Sequence, residues 1–305
     1  MPLFGTPTTR GHIPSEMEVG LRKVFFDSYE LYGNEYPKIF NVESSKKRQE
    51  TDSVISGLAT FPVRAEGGPT TFDSIQEAWT KVYLHPTYAL GVRITEEARE
   101  DDLYNVVNRT VQQLGVAAAY TQEVDAMAMF NDLAATLYTA DGTNYTLLST
   151  TQFRADGGTF QNRPTIAADL SLESLEAAII LWNTDMKDQR GRKINAMPKY
   201  LLHGPSDMFM AHRILKATKR PFTSDNDPNS VADLFDIEPL RSNFLTDDGR
   251  WFLLADKSKT GMVWFNRRQL RFRQETMVES GSDLFVGSYR SSSGATHPLG
   301  IFGSP

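Results

Sequence analysis

The densest set of candidate ligands is "DNDPNSVADLFD", where Asp225, Asp227, Asn229, Asp233 and Asp236 fall at positions 1, 3, 5, 9 and 12 of a calcium loop. Two residues spoil the pattern. Ser230 stands at position 6, where glycine makes the sharp turn, and Pro228 stiffens position 4. The stretch reads better as a polar loop ending in Ser230, the cap of a short helix through Phe235. The five histidines (His12, His85, His203, His212 and His297) form no H-x-H or H-E-x-x-H spacing. There is no cysteine, which excludes thiolate ligands and disulfides and suits an intracellular folding environment. No phosphate loop, dinucleotide fingerprint or G-x-S-x-G elbow is present, and "AEGGPT" lacks the lysine and following helix that a phosphate cradle needs. The acidic pairs Glu96/Glu97 and Asp101/Asp102 share a helical turn instead of facing across a cleft, so they complement a helix dipole. The sequence therefore predicts no catalytic residue, no cofactor and no metal.

The composition fits a soluble protein without a specialised charge role. With 305 residues the chain can form one large or two ordinary domains. It has no apolar run of the roughly 20 residues needed to span a bilayer, and no basic-then-apolar leader. A net charge of −6 argues against a dedicated nucleic-acid reader. The basic clusters Arg190, Arg192 and Lys193; Lys216, Lys219 and Arg220; and Arg267, Arg268, Arg271 and Arg273 are short and interrupted by acids, and read as solvated surface.

With no chemistry to position, the elements themselves become the informative feature. Residues 1–14 hold Pro2, Pro7, Pro14, Gly5 and Gly11 and are predicted to be extended. Ser15 and Glu18 form a capping box for a short helix with Leu21, Val24, Phe25 and Tyr29 on one face. From Glu43 to Ile94 the pattern predicts one long β-hairpin with its turn at Gly67, Gly68 and Pro69, and with Pro86 marking an edge or bulge. Such a hairpin is marginal alone and must lie on something else. "GVRITEEAREDDLY" then joins a period-two strand to a predicted helix from Thr95, its N-cap, to Leu133, about 58 Å long. A helix capped by Ser171 follows, with Leu172, Leu175, Ile179, Trp182 and Met186 on one side and Gly191 placed to end it. Strands are predicted at Lys199–His203, Trp251–Asp256, Met262–Met277 (bent at Asn266) and Leu284–Arg290, with a helix capped by Ser206. Helices and strands are mixed without a βαβ repeat, which is an α+β pattern.

In this order the pieces resemble the major capsid proteins of tailed bacteriophages with the Hong Kong 97 type of fold. The residues that carry the likeness are "EGG…FD…ALGVRITEEAREDDLY" from Glu66 to Tyr104 and "DKSKTGMVWFNRRQLRFRQE…DLFVGSYR" near the end. The resemblance implies an N-terminal arm with a short helix (1–42), an extended loop (43–94), and a peripheral domain with a spine helix (95–163). An axial domain (164–260) and return strands of the peripheral domain with a C-terminal segment (261–305) complete the implied layout. It also implies a non-enzymatic virion protein, assembled in the host cytoplasm from hexamers and pentamers into an icosahedral shell around double-stranded DNA. Arg64, Glu66, Gly67, Gly68, Pro69 and Phe72 of the loop tip would touch neighbouring subunits. The implied partners are further copies of the chain, a portal protein, room for a decoration protein, and a separate scaffolding protein, because the arm begins at Met1. No membrane is implied, and DNA would be only a non-specific neighbour. Val63 to Asp73 contains no lysine, so covalent crosslinking through the tip is not expected. Two readings compete: an encapsulin-like nanocompartment around an enzyme cargo, and a cytosolic oligomeric enzyme built from scattered carboxylates and histidines.

Overall fold

The computed structural model describes residues 13–101, 105–219, 228–277 and 279–305. Helix α1 (Ile13–Tyr32) and the single turn α2 (Tyr36–Ile39) lead into β1 (Asn41–Ser44), β2 (Gln49–Ile55), β3 (Glu77–Leu84) and β4 (Thr87–Ile94). Helices α3 (Glu96–Glu100) and α4 (Val106–Asn131) precede four short strands, β5 (Thr136–Ala140), β6 (Thr143–Thr146), β7 (Gln152–Phe153) and β8 (Thr159–Phe160). Next come α5 (Leu172–Asp185), β9 (Pro198–His203), α6 (Met208–Lys216) and α7 (Ser230–Leu234). The chain closes with β10 (Glu238–Arg241), β11 (Trp251–Ala255), β12 (Met262–Thr276), β13 (Asp283–Ala295) and β14 (Ile301–Ser304). The fold is α+β, as the sequence pattern predicts.

The chain forms two compact units. The first contains residues up to Asn34, His85–Val124 and Asn266–Ser291. In it, Leu21 and Phe25 of α1 pack with Val107, Val111 and Leu114 of α4 and with Phe272 and Phe285 of the strands. The rings of Phe25 and Phe272 lie 5.1 Å apart. Gly115 is what lets the helices close: a Cβ there would sit 2.5 Å from the Phe25 carbonyl oxygen. Tyr29 donates to Gln122 at 2.6 Å and extends the same contact with a hydrogen bond.

Three sequence expectations change in this unit. Helix α1 starts at Ile13 and runs for 20 residues, so Ser15 lies inside it instead of capping it. The long helix from Thr95 to Leu133 is two helices. Thr95 does cap the first, accepting from the Ala98 amide at 3.3 Å, but α3 lasts five residues. Asn105, just before α4, has a φ of 59°, a left-handed conformation that interrupts a helix. The strand Thr87–Ile94 is not the return arm of the hairpin. It pairs antiparallel with β13, Val92 opposite Phe285 and Tyr88 opposite Tyr289, and the two tyrosine rings stack at 4.9 Å. The break falls at Pro86, between β3 and β4, where proline cannot donate to a ladder.

The second unit contains Glu35–Leu84, Asp125–Phe265 and Ser292–Pro305. One of its sheets has the order β10-β9-β11-β14. Strand β11 lies in its interior and is buried at every position, with β9 and β14 antiparallel to it and β10 parallel to β9. Helix α5 has the predicted Ser171 cap, completed by Ser174 as a reciprocal capping box. Leu172, Leu175, Ile179, Trp182 and Met186 are buried as expected. The helix ends at Asp185 and not at Gly191, whose φ of 75° serves a later turn. The cap position of α6 is Asp207 and not Ser206.

A second sheet, β2-β3-β5-β6, carries the hairpin. Only Gln49 to Leu84 belongs to it, with Val54 opposite Trp79 and a bulge after Val54. On β3, Trp79 and Tyr83 are buried while Val82 and Leu84 face solvent. Strand β1 falls in a different sheet, ordered β1-β12-β13-β4. The loop-rich stretch after Asp141 is held by buried amides. Asn162 Nδ2 donates to the Leu147 and Ile301 carbonyls at 2.8 and 3.2 Å, while its Oδ1 accepts from Ser149 N at 2.9 Å. Gln152 donates to the same Oδ1 at 3.1 Å and accepts from the Tyr138 hydroxyl at 2.6 Å.

Candidate assembly surface

Between β2 and β3 the chain runs through 21 residues, 56–76, without a strand. Hydrogen bonds tie this loop at both ends. At the base, Ser56 is buried, its amide donates to the Gln76 carbonyl at 2.7 Å, and the Gln76 amide donates to Ser56 Oγ at 3.0 Å. Further out, the Asp73 carboxylate accepts from the Ala59 and Ser74 amides, both at 2.8 Å. The Ala59 and Ser74 amides hold the Asp73 carboxyl below the usual carboxylate range. Arg190, from the segment after α5, donates to the Gly57 carbonyl at 3.0 Å and to Asp73 at 3.2 Å, and also to the Ser74 carbonyl.

At the tip, Gly67 takes a φ of 73°, which glycine adopts without strain. The Gly68 amide closes the turn on the Ala65 carbonyl at 2.9 Å, and Arg64 Nε donates to the Gly68 carbonyl at 2.6 Å. Of the six residues expected at the tip, Arg64, Glu66, Gly67, Pro69 and Phe72 are exposed and Gly68 is half-buried. The structure joins Arg64 to Gly68 directly. It adds residues that the sequence reading passed over: Phe61 and Val63 are fully exposed and Phe72 is 91% exposed, with Leu58 and Ile75 more than half exposed. The available signal was "TFPV", two large apolar residues around a proline in a loop. Large apolar side chains gathered in solvent on one loop are the kind of feature that marks a candidate protein–protein contact.

No comparable site for small-molecule chemistry is present among the described residues. No group of three His, Asp or Glu side chains gathers there at metal-binding distance. Asp225 and Asp227 of the calcium-like pattern lie outside the described residues. Asn229 is buried and donates to the carbonyls of Ile214 and Ala217 at 2.6 and 2.9 Å, so it closes the end of α6. His297 is packed against the Trp79 ring at 5.7 Å, and burial pushes its imidazole down to about 4. His203 Nδ1 meets the Gly204 carbonyl at 2.7 Å. A groove of about 600 Å³ between α5 and α7 is lined mainly by Ile179, Ile180, Val231 and Leu234 and offers no convergent acid and base. No described helix is long and apolar enough to cross a membrane.

A hairpin with a long tied loop, a long helix packed on late strands, and a mixed second unit define a shell-forming fold of the Hong Kong 97 type. The family model for phage capsid proteins matches residues 78–302, and the chain belongs to that family. The capsid structure of the cyanophage P-SCSP1u is similar over 89% of this chain and 87% of that one, with a TM-score of 0.61 and 15% identity. A structure from Microbacterium phage Oxtober96 covers 88% of this chain and 90% of its own, with a TM-score of 0.57 and 13% identity. A virus-like particle from Pyrococcus furiosus covers 95% and 100%, with a TM-score of 0.56 and 10% identity. At these identities the likeness is one of fold. No curated protein matches. The chain is a structural protein of the virion, a major capsid protein that forms an icosahedral shell, and not an enzyme. The family match also weighs against the nanocompartment alternative.

Proposed function

We propose that the subunits assemble as hexamers and pentamers around double-stranded DNA, with each extended loop laid across a neighbouring subunit. One observation carries this reading: the loop is held by its own hydrogen bonds, yet Phe61, Val63 and Phe72 stand exposed, uncovered by any described residue. Burying such side chains is worth roughly 1.5–3 kcal/mol each, so many weak copies of the contact suffice to close a shell. Arg64, Glu66, Gly67, Gly68 and Pro69 form the polar and turn-forming frame of the same contact, and Phe72 belongs to its apolar part.

In this reading residues 1–42 are the arm and 43–94 the extended loop. Residues 95–163 and 261–305 make the peripheral domain, and residues 164–260 make the axial domain. A scaffolding protein guides assembly, a portal occupies one vertex, and a decoration protein can bind the finished surface. The moderately acidic subunit suits a wall that must not grip packaged DNA tightly. The test is deletion of Glu66–Thr70, followed by electron microscopy and a stability assay of the particles. Loss of uniform round shells supports the reading. Shells that form and persist as in the wild type overturn it.

A further inference from the structure

From Gln269 onward β12 alternates strictly: Leu270 and Phe272 join the α1–α4 apolar cluster, while Gln269, Arg271, Arg273 and Glu275 are exposed. Arg268 lies on the same strand, close enough to feel the charges of Arg271, Arg273 and, from β13, Arg290. Arg290 donates to the His85 carbonyl at 2.8 Å, and Arg268 to Ser288 Oγ at 3.4 Å, neither of them a carboxylate. The Nε of Arg268 is buried without a hydrogen bond. Burial and the charges of Arg271, Arg273, Arg290 and Arg267 together lower the pKa of Arg268, and no acid offsets them. The adjoining face is low, because Ala89 and Gly91 of β4 pair with Ser288 and Val286. A concentrated cationic surface of this kind attracts an anionic one.

The same unit carries the opposite charge on α3. Glu97, Glu100 and Asp101 are exposed, while the neighbouring Arg99 is turned to Asp283 at 2.7 Å and to Glu96 at 3.7 Å. Arg99 is therefore committed elsewhere and leaves the outer carboxylates uncompensated. We propose that the arginine face around Arg271 and Arg273 docks the acidic α3 turn of a second copy of this chain. Two different, complementary patches on one subunit make a head-to-tail contact, the kind that closes rings. A second copy fits better than nucleic acid because the chain is acidic overall and carries the matching charges itself. The inference rests on the shell reading above.

Three variants test it: R271E/R273E, E97R/E100R, and the combination of all four, each checked for an unchanged subunit melt. Particle yield is counted by electron microscopy. Each double variant is expected to lower yield by about tenfold or more, and the fourfold variant to recover most of it, because the swapped charges match again. Wild-type yield from either double, or no recovery in the fourfold variant, overturns the proposal. So do normal R271E/R273E shells that fail to retain DNA, which would assign the face to phosphate. If a double variant misfolds, R271C and E97C subunits are mixed instead, since the chain has no native cysteine. A disulfide dimer that forms only in the mixture supports the contact, and its absence from assembled particles overturns it. Wild-type protein that forms no shell at all would bring down the shell reading itself, which is a separate outcome.

Discussion

Two irregular stretches of this chain face opposite problems. Residues 56–76 expose large apolar side chains and are held by bonds at their edges. Residues 141–171, regular only in the short strands β6 to β8, bury Leu147, Leu148, Phe160 and Leu170 and are held from the inside by Asn162 and Gln152, both fully buried. The first stretch leaves five large apolar side chains in solvent, whereas the second leaves one, Ile166. On the proposed function, the difference separates what folds the subunit from what joins subunits, and substitutions should divide along the same line.

The largest effect is expected at the inner loop. Asn162→Leu takes the side-chain donor from the Ile301 carbonyl and the acceptor from the Ser149 amide, while the Leu147 carbonyl keeps its bond from Gln152 at 3.1 Å, at a cost of about 3 kcal/mol in total; urea unfolding of the subunit measures it. A loss below about 1 kcal/mol would mean that the inner loop is held by something else.

Acid acts next, on the packing beneath β3. His297 is held neutral in the fold, with a pKa near 4 against an ordinary 6.5. The unfolded chain therefore takes up the proton first as pH falls, and stability present above 6.5 drains away toward 4, by about 3 kcal/mol. Urea unfolding at pH 7 and pH 4.5 reads the loss, and His297→Leu should flatten it.

Arg190→Ala removes the tie between the loop base and the rest of its unit and should cost about 1 kcal/mol. Limited proteolysis within residues 57–74 should accelerate. Unchanged cleavage there would show that the base bonds alone hold the loop.

The smallest change in subunit stability is expected where the effect on assembly is clearest. Phe61→Ser with Val63→Ser should leave the subunit melt within about 0.5 kcal/mol, because both side chains are already in water. Shell yield should fall. A destabilised subunit would break the comparison between the two stretches.

Local signals in the sequence were legible where chemistry is local. The caps at Thr95 and Ser171, the apolar stripe of α5 and the glycine turn of the loop all follow from residue types at fixed spacing. Pairing was not legible, because strand alternation says which side faces in but not which strand lies alongside. Thr87–Ile94 therefore went to β13, where a continuous hairpin had been expected. The break at Asn105 was also hidden, since asparagine is only one of several residues that tolerate a left-handed backbone. Gly115, where α1 and α4 meet, sits in no recognisable motif, because the close approach that requires it belongs to the partner helix. Asn162 and Gln152 carry no motif at all, because a satisfied buried amide leaves no pattern in the sequence.

The cross-ties of the extended loop bear on the thermodynamics of joining subunits. A free 21-residue segment would lose its conformational entropy at every docking event, and that loss would oppose each contact in the shell. The Asp73 and Arg64 hydrogen bonds move that loss into folding, before any neighbour arrives. What remains for association is mainly the release of water from Phe61, Val63 and Phe72. Assembly driven this way should strengthen on modest warming and carry a negative heat-capacity change.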